Sequence, residues 1–269
     1  MTPVSTQMHM FYGPDTAVGA AEKIGFRIGA KGAHTSRTMM LAELRATLEA
    51  VPAGADRSGY VSAIVDENCT HKSTAATRKL TNQRLSEFYA LDPRVPIFRV
   101  LRKVWGASPE GRPLLAMLTA LARDPRFLMT APFIIALNEG AEFQREPMAA
   151  ALRSTGSDRL NVSILDKVVR NAASSWVQAG HLMGRTFKKR LRVQPTPAVA
   201  AYAAYLAFHA GLRGAEIFRS GWFQVIDTSP AKARALLLEA KQLGLIDLRI
   251  AGDVVTLGLD RLDPYLGRG

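Results

Sequence analysis

Apolar positions recur every three or four residues along much of this 269-residue chain, which is the period of an α-helix with one buried face. Met39, Met40, Leu44 and Leu48 form one such stripe, and it predicts a helix over residues 35–50. The same spacing predicts further helices over residues 58–68, 74–89, 97–105, 114–122 and 163–176. The pattern therefore predicts a mainly α, multi-helical fold.

Two of these helices are predicted to form a helix-turn-helix. Residues 69–72 make a short turn after the first helix, and Ser73 is the expected N-cap of the second because its hydroxyl can accept an orphan amide hydrogen. The second helix, residues 74–89, is rich in Thr, Asn, Gln and Arg, which hydrogen-bond to bases and phosphates. Any pair of short helices can have this outline, and the turn lacks the glycine that is often found there.

A second basic element follows in the C-terminal half. Residues 185–193 read RTFKKRLRV and carry five positive charges and no negative one. Gly180 and Gly184 bracket a turn just before it. Such a run is most often a solvated surface, but here it can also form a wing-like hairpin or a loop that grips phosphates.

Residues 220–259 predict a winged-helix-like unit. Ser229 is the expected N-cap of a helix in which Pro230 takes the first position and Gly244 marks the stop. Residues 245–250 and 254–259 alternate in polarity around a tight connection, which predicts a β-hairpin. The helix carries few cations, so this unit can serve protein contacts as easily as DNA.

The length of the chain suggests two domains. We expect an N-terminal helical domain with the helix-turn-helix at residues 1–137, and a C-terminal helical domain with the winged-helix-like unit at residues 138–269. Residues 1–32 are glycine-rich and weakly patterned, and they match no phosphate-binding glycine motif. We expect them to form a mobile arm that docks on the first helix.

Charge narrows the class of partner. The formal net charge is +12 and the sequence pI is about 10.2, so the chain should attract a polyanion. The single cysteine, Cys69, excludes a disulfide framework and fits a reducing cytoplasm. The longest uncharged apolar run, residues 198–208, is too short to cross a bilayer, and no secretory signal is visible.

Catalytic patterns are absent from the sequence. The five histidines have no metal-ligand spacing, and no Gly-x-Ser-x-Gly motif occurs. Asp92 and Asp124 each precede a proline, which is typical of turns rather than of paired catalytic acids. We therefore expect neither an enzyme nor a cofactor, metal or small-molecule substrate.

Residues 27–91 resemble the BrxA-type proteins of the bacterial BREX phage-defence systems. The resemblance is carried by Gly29, by the stretch YVSAIVDENCTHKSTAATRKLTNQRL and by the closing EFYALD. Positions that match the family pattern are Asn68, Thr74, Thr77, Arg78, Arg84 and Leu85. The resemblance implies a helical protein with wings that binds double-stranded DNA, works with other defence subunits and has no catalytic centre.

The leading hypothesis is a non-catalytic accessory protein that binds double-stranded DNA mainly through phosphates, with weak sequence specificity. The expected DNA contacts are Lys72, Thr74, Thr77, Arg78, Lys79, Asn82, Arg84, Arg185, Lys188, Lys189, Arg190 and Arg192.

Two other functions fit the same residues. An RNA-binding helical module is one, although Phe187 is the only aromatic residue in the basic stretches that could stack on a base. A scaffold is the other, in which the basic faces and the C-terminal wing would meet other subunits of a complex.

Overall fold

Helices make up most of the computed structural model, which describes residues 9–14, 16–29, 32–154, 161–252 and 254–265. The first eight are α1 (Val18–Ile24), α2 (Leu41–Ala50), α3 (Arg57–Val65), α4 (Ala75–Tyr89), α5 (Pro96–Ala107), α6 (Arg112–Arg123), α7 (Pro125–Leu128) and α8 (Ala131–Ala136). The others are α9 (Arg145–Ser154), α10 (Val162–Gln178), α11 (Pro197–His209), α12 (Glu216–Arg219), α13 (Gly221–Gln224) and α14 (Pro230–Gln242).

A short 3₁₀ helix (Ala33–Thr35) and two small antiparallel hairpins complete the described secondary structure. β1 (Leu182–Met183) pairs with β2 (Lys189–Arg190), and β3 (Asp247–Ala251) pairs with β4 (Val254–Gly258). The predicted mainly α class is confirmed. The β3–β4 hairpin lies where the sequence predicted one, and the β1–β2 hairpin lies at the basic run, for which a hairpin or a loop was expected.

Polar side chains fix where several helices begin. The Ser229 hydroxyl accepts the N–H of Lys232 at the start of α14, as the sequence predicted. On α4 the cap is Thr74, which accepts the N–H of Thr77, and not Ser73. Each cap satisfies an amide that has no partner inside its own helix.

Two helices without a polar face form the centre of the molecule. Residues 114–122 of α6 and 198–207 of α11 are all buried, as expected for helices that are apolar on every side. The Thr119 and Tyr202 hydroxyls lie 2.9 Å apart and join the two helices. The apolar run that is too short to cross a bilayer is therefore the core helix α11, for which the sequence analysis predicted no helix.

One hydrophobic core serves both halves of the chain. The buried apolar residues form a single cluster from Phe11 to Leu262. Within it α11 packs against α5 and α6, and α10 packs against α6 and α7. The predicted domain boundary after residue 137 lies inside this cluster, so it does not separate two cores.

The N-terminal segment docks elsewhere than predicted. Phe11 packs edge-on against Trp222 of α13, whose indole N–H donates to the carbonyl of Phe11 at 2.7 Å. The N–H of Gly13 donates to the carbonyl of Ala210 at the end of α11. Gly221 leaves the required space, because a Cβ there would lie 2.8 Å from the Phe11 ring. The prediction of a mobile arm on the first helix is wrong for these residues, which belong to the core.

The connection between α3 and α4 differs from a helix-turn-helix turn. α3 ends at Val65, so nine residues precede α4, whereas the motif has a turn of about three or four residues. Asn68 and His71 adopt left-handed backbone conformations with φ of 57° and 53°. The predicted turn at residues 69–72 is therefore wrong in length.

A buried arginine fixes the far end of α4. Arg123 of α6 donates to the carbonyls of Ser86 and Glu87 in the last turn of α4. Burial lowers the pKa of its guanidinium to about 10. This contact orients α4, which carries five of the predicted DNA contacts. Two more, Lys72 and Thr74, lie just before the helix.

We expect Phe11→Ala to destabilise the fold by about 3–5 kcal/mol, because it leaves a cavity against Trp222. Urea unfolding followed by circular dichroism measures the change. The control is Val18→Ala at a half-exposed site, for which we expect about 0.5 kcal/mol or less. Equal small effects from both variants would mean that the N-terminal segment is not part of the core.

Candidate nucleic-acid interface

The cations of the α4 region are partly held by the chain's own acids. Lys72 Nζ lies 2.8 Å from Glu43 Oε1, and Arg84 Nη1 lies 2.7 Å from Glu87 Oε2. Both pairs are half-buried. Lys79 is exposed and has no ion pair within the described part of the chain. Unlike Lys72 and Arg84, Lys79 is therefore free to contact a phosphate.

The other predicted contacts on this helix also have local roles. The Arg78 guanidinium donates to the carbonyl of Asp66 at 3.3 Å. Thr74 and Thr77 meet hydroxyl to hydroxyl at 2.8 Å, with Thr74 as the helix cap. Asn82 is half-buried, and its Oδ1 has no hydrogen-bond partner among the described residues. Thr74, Thr77 and Arg78 are thus engaged locally and Asn82 is half-buried, so α4 is the weaker of the two candidate elements.

The basic run at residues 185–193 forms the second candidate element, and its hairpin has an inner and an outer face. In the β1–β2 register Leu182 pairs with Arg190 and Met183 with Lys189. Leu182 and Arg190 are buried, whereas Met183 and Lys189 are exposed. The predicted wing-like hairpin is thus present, and it presents only alternate residues to solvent.

A third chain segment supports the hairpin. The N–H of Phe143 donates to the carbonyl of Lys188 at 2.7 Å, and the N–H of Arg190 donates to the carbonyl of Ala141 at 2.9 Å. Residues 141–143 therefore cover the second edge of β2. The hairpin is held on both sides of this strand rather than projecting as a free loop.

The turn at the tip is tight and depends on a glycine. Gly184 has φ of +119°, and a Cβ there would lie 2.1 Å from the carbonyl oxygen of Phe187. Lys188 Nζ donates to the carbonyl of Arg185 at 2.6 Å. Arg185, Lys188 and Lys189 form no ion pair with a carboxylate in the portion that the structure covers. We call residues 184–189 the basic tip.

Arg190 and Arg192, which were predicted to contact DNA, bind the carboxylate of Asp227 instead. Arg190 is buried and binds both carboxylate oxygens of Asp227, at 3.1 and 2.5 Å. Arg192 binds the same carboxylate at 2.8 Å and stays partly exposed. The prediction that Arg190 contacts DNA is therefore wrong, since its guanidinium anchors the hairpin and is closed to solvent.

Asp227 is the group on which this anchor depends. Burial opposes the ionisation of its carboxyl, but the hydrogen bonds from Arg190, the Val193 N–H and Arg192 outweigh burial and lower its pKa. The nearby His181 ring is also buried, which lowers its pKa to about 4, and its Nε2 lies 2.6 Å from the carbonyl of Val225. A neutral histidine and a charged aspartate thus join the hairpin to the turn after α13.

The structure also brings together a serine, a histidine and an aspartate that the sequence analysis did not connect. His34 Nδ1 lies 2.9 Å from Asp124 Oδ2, and His34 Nε2 lies 2.8 Å from Ser175 Oγ. This is the order of groups in a hydrolase triad. However, Ser175 Oγ also accepts the N–H of Met39 and donates to the carbonyl of Asn171.

All three side chains of this arrangement are buried, so no substrate can reach the serine hydroxyl. Among the described residues, Asp124 accepts four hydrogen bonds, from His34 and from the backbone at the start of α7. Burial opposes ionisation of its carboxyl, but His34 and the backbone amides outweigh burial and lower its pKa. The arrangement ties residues 34–39 to α7 and α10, which is a structural role.

No group of three or more metal-ligating side chains occurs among the described residues. Within that same set, no helix has both the length and the apolar character to cross a bilayer.

Comparison with known proteins finds no relative of this chain. No family model matches the chain, and no curated protein or solved structure shows a significant match. The resemblance to BrxA-type proteins therefore stays a prediction.

We expect Asp227→Ala to destabilise the protein by about 3–5 kcal/mol, because it leaves the Arg190 guanidinium buried without a counter-charge. Chemical denaturation at pH 7 measures the difference. Asp247→Ala is the matched control, since it breaks an exposed aspartate–arginine pair, worth about 1 kcal/mol or less. Similar losses from both variants would show that the buried pair is not an anchor.

The contribution of Asp227 should depend on pH. Because its folded-state pKa is lowered, the stability that it adds is complete above the usual aspartate pKa and is lost as the pH falls through the lowered value. The difference in unfolding free energy between wild type and Asp227→Ala should therefore be constant from pH 7 to 5 and shrink below about pH 4. His181 is buried and neutral in wild type from pH 7 to 5, and the charge of Asp227 itself raises the pKa of this histidine. A difference that persists undiminished at pH 3 contradicts this assignment.

Proposed function

We propose that this chain is a non-catalytic accessory protein that binds double-stranded DNA, mainly through phosphates contacted by the basic tip. The observation that carries the proposal is the hairpin itself. Arg185, Lys188 and Lys189 lie on a supported turn with no carboxylate partner among the described residues, while neighbouring Arg190 is used as an anchor. A fixed group of cations loses little conformational freedom when it meets a phosphate backbone.

The charge distribution supports a polyanion as the ligand. A net charge of +12 creates a long-range attraction that speeds association with nucleic acid. Lys79 on α4 is a further exposed cation. Lysine and arginine contacts to phosphate give affinity without reading sequence. Because Thr74, Thr77 and Arg78 have local partners and Asn82 is half-buried, we propose weak sequence specificity.

The role in phage defence rests on the sequence resemblance alone. That resemblance also suggests other defence subunits as partners. We therefore propose that the DNA binding serves phage defence and that other defence subunits are partners of this chain.

Salt dependence tests the proposal on a duplex of arbitrary sequence. Each phosphate contact releases counterions, so the slope of log K against log salt changes by about 0.9 per contact. We expect Arg185→Ala/Lys189→Ala to bind more weakly and to reduce the slope by about two. Fluorescence anisotropy at several salt concentrations gives both quantities.

The control variant, Lys241→Ala/Arg249→Ala, removes one exposed cation from α14 and one from β3. We expect its slope to stay close to that of the wild type. Equal reductions in the two double variants would mean that binding is spread over the surface. Wild-type affinity that ignores salt, or tighter binding to single-stranded RNA than to duplex DNA, would contradict the proposal.

A further inference from the structure

The basic tip carries an exposed aromatic ring. Phe187 is 73% exposed, and no other aromatic ring of the described chain lies in contact with it. Met183 on the outer face of β1 is 58% exposed. Single exposed apolar residues are common on protein surfaces. Here, however, the ring lies within two residues of Arg185, Lys188 and Lys189, on a turn that the Gly184 backbone and residues 141–143 hold in place.

An exposed ring on a turn that also carries three cations suits a nucleobase that has left the base stack. Stacking on an aromatic side chain stabilises any base, because every base has a π-face, while the cations meet the neighbouring phosphates. Insertion into an intact duplex is less favourable, since a base step must first be unstacked. One ring supplies one stacking contact, so the gain is largest where a base is already free.

We propose that Phe187 stacks on an unpaired base, so that the basic tip prefers DNA with a bulge or junction over a continuous duplex. This inference rests on the proposed DNA-binding function and names the DNA structure that the tip recognises. Arg185 and Lys189 hold the flanking phosphates on either side of the ring.

The test compares an intact duplex with the same duplex carrying a single-nucleotide bulge, by fluorescence anisotropy. We expect wild type to bind the bulged DNA roughly 5- to 100-fold more tightly. Phe187→Ala should reduce that ratio to about one and leave the affinity for the intact duplex nearly unchanged. Leu243→Ala, which removes a residue that is 66% exposed on a different element, is the matched control and should keep the wild-type ratio.

Phe187→Trp provides a direct signal of stacking. Trp105, Trp176 and Trp222 are all buried, so a change of fluorescence on adding DNA comes from the new exposed indole. We expect quenching by bulged DNA at concentrations where intact duplex has no effect, together with a preserved affinity ratio. Circular dichroism of each variant checks that the fold is unchanged.

The outcomes separate this inference from the function on which it rests. Equal wild-type affinities for the two duplexes, or a preference that survives in Phe187→Ala, overturn the role of the ring. DNA binding by the tip still stands in that case if Arg185→Ala/Lys189→Ala weakens binding to intact duplex. Absence of DNA binding overturns both. Phe187-dependent binding to vesicles containing phosphatidylserine, with no bulge preference, would assign the tip to a membrane surface instead.

Discussion

The position of the basic tip depends on one buried ion pair. Asp227, in the turn after α13, binds Arg190, Arg192 and the backbone N–H of Val193. Three residues of the short segment 190–193 thus converge on a single carboxylate that the helical core holds in place. Breaking a buried pair leaves an uncompensated charge, which is far more costly than losing a surface pair. The pair therefore fixes the inner face of the hairpin and turns the other face towards solvent.

The same charge run supplies both the anchor and the candidate binding surface. In sequence, the five cations of residues 185–193 are equivalent, and all of them were expected to contact DNA. In the hairpin, Lys189 points outwards and its neighbour Arg190 points inwards. Successive residues of a strand face opposite sides, so a hairpin prediction already limits how many cations of the run can be exposed. The partner of Arg190 lies 37 positions away and has no signal in the local pattern.

Half of the fourteen described helices could be predicted from sequence, because a buried stripe leaves a regular spacing, as in α4 and α5, or because cap and stop residues mark the ends, as in α14. Spacing identified α6 but not α11, although both helices are buried on every side. It also does not predict which distant segments share a core, such as Phe11 with Trp222. Function depends on exposure as well as on residue type. His34, Asp124 and Ser175 have the order of a catalytic triad, yet burial makes them a structural contact.

Hydrogen–deuterium exchange with and without duplex DNA tests most directly whether the basic tip is the contact surface. The account predicts slower exchange of amides at residues 184–189 when DNA is bound, with little change across the β3–β4 hairpin at residues 247–258. Protection confined to the β3–β4 hairpin, or unchanged exchange at the tip under conditions where DNA is bound, would contradict it.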